Sequence, residues 1–455
     1  MNRARLATLL LCALAAGPGL PQAARADIGP LVMADSTVFE SWKLANGLRV
    51  VARHVPGCRH VDVTVAYSSG RSDEPSGREG LSALLAELEF HGATAETPER
   101  SRGEMAELRP AGWDVVVSPH VTRFSEIAPE HLLPGLLHGA ADRMRGVTVT
   151  AAALKSAIAV VRADLDTTCR VDVGRALHHA ARRWAEGDGD SRLAREAAGR
   201  GLQGPGVGEA QQRLRATFVP ANAVLAVAGN LRKIPLRALI ENEFGSIPAG
   251  PPRSRRPAAP LDSARRALRR AETPRAVGVV GLIMPALQDS THPAFTMDLL
   301  LAGAHCVNRW GPPDPPLTSR FQYSIFDDPE LARFYPPVAP GETDPAALEV
   351  ELVNSLNELN GLTISRVSYE TVWRGVDWLL GGPLGPGIIG RVLGEPGALH
   401  TLCSGMAVRE LWGGEAFWSQ YRKRFEQAID VDHPDWLGRM TSRQYLVNLL
   451  FVPGK

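Results

Sequence analysis

The stretch from Gly80 to Thr94, GLSALLAELEFHGAT, limits what this chain can become more than any other part of it. Leu81, Leu84, Leu85, Leu88 and Phe90 crowd it with apolar side chains, so it reads as a buried helix followed by a polar turn. Before it, Val61, Val63, Val65 and Tyr67 alternate as in a half-buried strand, which Ser69-Gly70 breaks. Glu40 to His54 (ESWKLANGLRVVARH) reads as a hairpin turning at Asn46-Gly47. After it, Ser101 to Leu108 forms a helix, and Gly112 to Phe124 reads as two strands around Ser118-Pro119. With 455 residues and 44% hydrophobic content, the chain can build two or three cored domains.

Two more helices follow, at Pro129 to Met144 and at 151–166. FVPANAVLAVAGNL then encodes a buried strand ended by Gly229, and Pro235 to Phe244 a helix closed by Gly245 and Pro248. The second half repeats this architecture. Val277 to Met284 is a strand, Pro293 to Ala302 a helix and Gln322 to Phe326 a strand. Asp344 to Leu359, Val367 to Leu380 and Phe417 to Ala428 are helices, and Tyr445 to Val452 is a terminal strand placed like Val224 to Gly229 in the first copy. Residues 250–275, rich in Pro and Arg, read as a stiff, solvated linker between the halves.

This order of elements resembles the M16 zinc peptidases (insulinase, pitrilysin and mitochondrial processing peptidase), in the half-length, two-domain type. Their metal helix carries H-x-x-E-H inside a phrase close to GLAHLLEHMxFxGT. Gly80, Leu81, Leu84, Leu85, Phe90 and Gly92 keep that frame, with Thr94 one place late, and FVPANAVLAVAGNL resembles the family's FYxPNNAVLVVVGD. The resemblance implies an α+β fold of two homologous α/β-roll domains, 27–249 and 276–455, each a mostly antiparallel sheet flanked by helices. The family's chemistry is not kept. Ala83 fills the first His slot, Ala86 the Glu slot and Glu87 the second His slot, while Asp164, 77 positions after Glu87, fills the slot of the third ligand. Ala157 stands where the family has a supporting Glu. Residues four apart share a helix face, so two imidazoles so spaced can pinch an ion while the Glu between them activates its water. Two methyl groups can do neither, and the oxygen-only pair Glu87 and Asp164 is a poor zinc site. No zinc or other cofactor is expected, and the resemblance implies a noncatalytic member. A rebuilt site drawing on Glu87, Asp164, Glu89 or His91 is the route by which hydrolysis would survive.

In active relatives the first strand of the 112–124 pair is an edge that adds the substrate peptide to the sheet. Asp114, Val117 and His120 take its Asn, Thr and Asp slots here. A free edge accepts an extended peptide through its main chain, which makes Asp114, Val115, Val116 and Val117 peptide-binding candidates; a strand covered by its own protein is the plainer alternative. The family also holds the substrate backbone with an Arg and a Tyr in SRLFxxLRExxGLAYSV. HCVNRWGPPDPPLTSRFQYSIF replaces that phrase: Tyr323-Ser324 fits, Pro316 takes the Arg slot, and Arg309 and Arg320 are substitutes out of register. Prolines 312, 313, 315 and 316 bar the usual helix. Half-length chains of this family commonly pair as a clamshell around a peptide chamber. The implied partners are a catalytic subunit bearing HxxEH and an unfolded or extended peptide, with a stand-alone peptide-binding module as the alternative.

Lys and Arg number 50 against 49 Asp and Glu, so no nucleic-acid footprint appears. Residues 1–26 read as a secretory signal: Arg3 and Arg5, an apolar run from Leu6 to Ala16, and Ala24-Arg25-Ala26 before Asp27. No later apolar run reaches the roughly 18 residues of a membrane span, so export to a bacterial periplasm or beyond is expected. Cys58, Cys169, Cys306 and Cys403 lack C-x-x-C spacing and indicate neither a zinc knuckle nor a redox pair. His131 and His138 read as surface or satisfied core groups, and His178-His179 as part of a solvated basic face. Gly381 to Gly394 has no Lys-Ser/Thr ending and is not a P-loop.

Overall fold

The computed structural model describes residues 39–185, 201–253, 265–358, 396–429 and 436–454, apart from 76, 172, 204, 272, 274, 314–316, 318, 326–327 and 443–444. The expected leader at 1–26, the helix at Val367 to Leu380 and the glycine-rich 381–394 lie outside the described residues.

The hairpin β1 (Phe39–Lys43) and β2 (Arg49–His54) pairs Phe39 with Arg53 and Lys43 with Arg49. Its turn uses Gly47 at φ 92, where a side chain would be strained. Asn46 is buried and donates through Nδ2 to the carbonyls of Phe244 (2.7 Å) and Ile247 (2.9 Å), pinning the turn to the distant end of the domain. Then come β3 (His60–Tyr67), α1 (Leu81–His91), α2 (Arg102–Leu108), β4 (Trp113–Val117) and β5 (Thr122–Pro129). Helices α3 (Leu133–Arg145), α4 (Ala151–Val171), α5 (Val173–Ala185) and α6 (Val207–Thr217) lead to β6 (Ala223–Gly229) and α7 (Leu236–Phe244). The six strands lie in the order β1-β2-β6-β3-β5-β4, antiparallel except for β2 with β6.

The second half holds β7 (Arg265–Ala271), β8 (Val277–Ile283), α8 (His292–Trp310), β9 (Phe321–Ser324), β10 (Asp328–Phe334) and α9 (Ala346–Asn357). It continues with α10 (Pro396–Leu411), α11 (Gly414–Ile429), α12 (Trp436–Thr441) and β11 (Leu446–Pro453). Its sheet runs β7-β11-β8-β10-β9, with β11 parallel to β7 and antiparallel to β8. That is the order β2-β6-β3-β5-β4 over again, so the α+β duplication expected from the sequence is present.

Two expectations need correction. Residues 265–271, read as part of a linker, form β7, the counterpart of β2. Its sequence, RRALRRA, hides the strand because its arginines are held by partners from elsewhere in the fold: Arg266 Nε bonds the buried Glu349 (3.0 Å) and Arg269 lies over the Trp184 ring. Strand β3, read as half-buried, is buried on both faces. Val61, Val63, Val65 and Tyr67 enter the core beneath α1, while Asp62, Thr64 and Ala66 are equally buried on the reverse side.

The cover on that reverse side comes from the other half. Helix α10 lies across β3 and β6, packing Leu399, Leu402, Cys403 and Met406 against Val51, Ala66, Val224 and Ala226. Each fully buried Leu or Met contributes roughly 2 kcal/mol of apolar transfer free energy, so this seam adds to the cohesion of the two halves. Reciprocally, α5 covers β8 and β11, with Leu177 and Ala181 against Val279, Leu449 and Phe451. Tyr335 donates its hydroxyl to the Gly174 carbonyl there (2.8 Å), and Arg49 reaches the Glu410 carbonyl at the opposite seam (2.8 Å). No helix among the described residues is long and apolar enough to cross a membrane.

Candidate functional site

Helix α1 is positioned before it begins. The loop ahead of it sits on the β4–β5 turn, with Arg71 N donating to the Ser118 carbonyl (3.0 Å) and Ser72 N to that of Pro119 (2.8 Å). A Cβ at Gly70 would fall 2.3 Å from the Ser118 oxygen, so only glycine allows that approach. Gly80 caps the helix at φ 86, and the buried Glu74 carboxylate accepts from Gly80 N (3.1 Å) and Ser82 N (2.8 Å). Burial raises the Glu74 pKa to about 7 despite those bonds. Along α1, Phe90 stacks on Phe124 (5.6 Å between centroids) and on Trp113 (5.5 Å). Helix α1 therefore lies directly over β4 and β5.

Ala86 is buried and Ala83 half-buried, both against the core. One turn on, Glu87 meets a group that motif reading missed. The Arg102 Nη2 lies 2.7 Å from Glu87 Oε2 and 2.7 Å from Asp164 Oδ2. One nitrogen thus holds both carboxylates from the family's ligand slots. Burial works against the Arg102 charge, but the bonds from Glu87 and Asp164 outweigh it and raise its pKa. His91 Nε2 is 4.0 Å from Glu87 Oε1, with its ring edge-on to Trp113, and burial lowers its pKa. Glu89 points into the core, where burial pushes its pKa well above the carboxylate range.

These residues do not fit a zinc ion. The alanines offer no lone pairs, and a permanently charged guanidinium stands where the two carboxylates converge. The sequence did contain one hint. Ser101 and Glu104 form a capping box (Glu104 N to Ser101 Oγ 3.2 Å, Ser101 N to Glu104 Oε2 2.6 Å), which makes Arg102 the first residue of α2. Where that side chain goes depends on the packing of α2 beside α1 and α4.

Among the described residues, strand β4 ends its sheet, paired on one side with β5 from Trp113–Glu126 to Val117–Thr122. Val115 and Val117 pack toward the α1 core. Asp114, on the opposite face, does not point along the free edge. Its Oδ2 lies 3.4 Å from His400 Nε2 and 3.9 Å from Arg123, while His400 Nδ1 lies 2.9 Å from the fully buried Asp62. Any peptide held here would use the main chain of residues 113–117, leaving the Asp114 carboxylate in the seam. Tyr323 is likewise engaged: its hydroxyl is 3.2 Å from His292 Nε2, in a network with Tyr421. Of the clamp substitutes, Arg309 binds Ser355 (2.9 Å) and Glu358 (3.4 Å), and Arg320 is buried against the Tyr335 and Pro312 carbonyls. His138 bridges Glu96 and Glu243, each at 3.0 Å, on the surface.

No protein-family model matches the sequence, and no curated protein does. Solved structures match by shape. A protease from Helicobacter pylori superposes with a TM-score of 0.67 at 16% identity, covering 91% of this chain and 100% of that one. A peptidase M16 inactive domain from Pseudomonas fluorescens gives 0.64 at 13% identity, over 92% and 98%. The periplasmic protease PqqL from Escherichia coli gives 0.63 at 14%, over 91% of this chain but 48% of its own. At these identities the likeness concerns fold alone. The chain has an M16-like, half-length α+β fold, and it spans about half the length of PqqL.

Proposed function

We propose that this chain is a noncatalytic, exported M16-fold subunit. It pairs with a catalytic partner bearing HxxEH and completes a chamber that holds an extended peptide. The observation that carries the noncatalytic reading is the Arg102 guanidinium, joined to both Glu87 and Asp164 at 2.7 Å beside Ala83 and Ala86. With alanines in place of an imidazole and the general base, and with Glu87 already bound to Arg102, the site can bind and orient but cannot activate a nucleophile through a metal-bound water. Strand β4 at the sheet's end supports a role in peptide binding through its main chain. The pairing draws support from PqqL, which is about twice as long as this chain, and from the ferredoxin protease FusC, described in complex with a ferredoxin. Export draws support from the leader-like residues 1–26 and from the periplasmic location of PqqL.

The test is to purify the mature chain alone and alongside a co-expressed HxxEH-bearing homologue. A stable heterodimer is expected, with less than about one zinc per ten copies of this chain. A monomer at micromolar concentration that ignores the homologue would sink the pairing. Stoichiometric zinc in the isolated chain would sink the noncatalytic reading.

A further inference from the structure

We propose that Arg102 is a built-in cation: its Nη2 occupies the point on which the Glu87 and Asp164 carboxylates converge, and it ties α1, α2 and α4 together as a bound ion would. This concerns the site's architecture and stands whether or not the chain pairs with a catalytic subunit. An arginine–carboxylate pair usually presents two nitrogens to two oxygens of one carboxylate. Here two carboxylates from different helices meet a single nitrogen, each at 2.7 Å. Both contacts have the length of charge-assisted N–H···O bonds, one for each hydrogen of that nitrogen.

The surroundings require such a charge. The Glu87 side chain is only 8% exposed, and an ionised carboxylate so buried is costly without a cation against it. Asp164, at 52% exposure, keeps one side open to water. The connection reaches further than three side chains. Helix α2 ends at Arg109, whose Nε binds the buried Glu126 at 2.8 Å, and it leads directly into β4. Arg102 at the start of α2 and Arg109 at its end thus staple this helix between α1 and the sheet, and the pair fixes where the edge strand begins.

Two consequences follow from convergence on one atom. A lysine ammonium, which is a point charge, should replace Arg102, whereas it fails at sites that need the guanidinium fork. Removing the charge should leave the Glu87 and Asp164 carboxylates uncompensated, so that an added divalent cation can take its place. The experiment compares native protein with Arg102→Lys, Arg102→Met and Arg102→Ala in thermal melts, with EDTA and with millimolar MnCl2, a cation that suits carboxylate ligands. Arg102→Lys is expected within about 2 °C of native, and Arg102→Met and Arg102→Ala lower by roughly 3–6 °C in EDTA. Divalent ions should return at least half of the Arg102→Ala loss, leave native protein unmoved, and fail when Glu87→Gln is added. Calorimetric titration should find one ion per Arg102→Ala chain and none per native chain. Equal melting of Arg102→Met and native, or a Lys variant as damaged as the Met variant, overturns the proposal. So does metal rescue that persists without Glu87. If Arg102→Ala does not fold, the Lys-against-Met comparison decides alone.

Discussion

Strands β2 and β7 hold the same place in the two halves, each running parallel to the strand that closes its repeat, yet they share almost no sequence character. RVVARH has four consecutive buried residues, whereas RRALRRA exposes Arg266 and Arg270 and leaves Leu268 39% exposed beside a buried Ala267. The difference lies in their neighbours. Strand β2 is paired on both sides and roofed by α10, so every side chain must be apolar or hydrogen-bonded. Strand β7 is the last described strand of its sheet and can carry charge on its open side. Two copies of one architecture therefore tolerate opposite sequences where their surroundings differ. The same holds for the helices that follow β3 and β8: α1 presents the Glu87–Arg102–Asp164 cluster, whereas α8 buries a His292 network and, at Asp298, a carboxyl with an unpartnered Oδ2.

The strand comparison is broken most severely by putting charge into β2. Val51→Asp is expected to cost about 4 kcal/mol in urea unfolding, against less than about 0.5 kcal/mol for Leu268→Asp on β7. Equal costs would mean that β7 is covered in solution. Next comes the seam under β3. His400→Gln should cost about 3 kcal/mol, because it leaves the fully buried Asp62 without its imidazole partner.

The helix comparison is sharpened by Asp298→Asn. Burial raises the Asp298 pKa from 3.8 to about 7, so folding favours its protonated form. That preference is fully present below the unfolded pKa near 4 and is lost as pH rises through about 7. The Asn variant, unable to ionise, should be more stable than native protein at pH 8 by about 2 kcal/mol, with little difference at pH 4. A pH-independent difference would remove Asp298 from the account.

A smaller effect is expected in zinc binding by the triple variant Ala83→His, Ala86→Glu, Glu87→His. Adding Arg102→Ala should tighten it about tenfold, or roughly 1.4 kcal/mol, because a fixed cation leaves the site. Smallest is Tyr335→Phe at the second seam, about 1 kcal/mol for one hydroxyl-to-carbonyl bond, read by denaturant midpoint.

Local pattern carried much of this. The period of β3, the density of α1, the Asn46-Gly47 turn and the Gly229 stop all appear where their residues place them, because each signal lies within a few neighbouring positions. Strand β7 did not, because its apolar alternation is broken by arginines whose partners, Glu349 for Arg266 and Trp184 for Arg269, lie far away along the chain. The peptide edge was legible as a strand but not as a side-chain arrangement, since Asp114 turns to a helix from the other half.

By itself the sequence decided what positions 83 and 86 cannot do: their methyl groups have no lone pairs in any fold. What stands beside them was decided only in three dimensions. Arg102 meets Glu87 across 15 residues of chain, and His400 meets Asp62 across 338. Partners joined over such separations leave no periodic trace, because their pairing is set by how helices and sheets pack and by the cost of burying one polar group without the other.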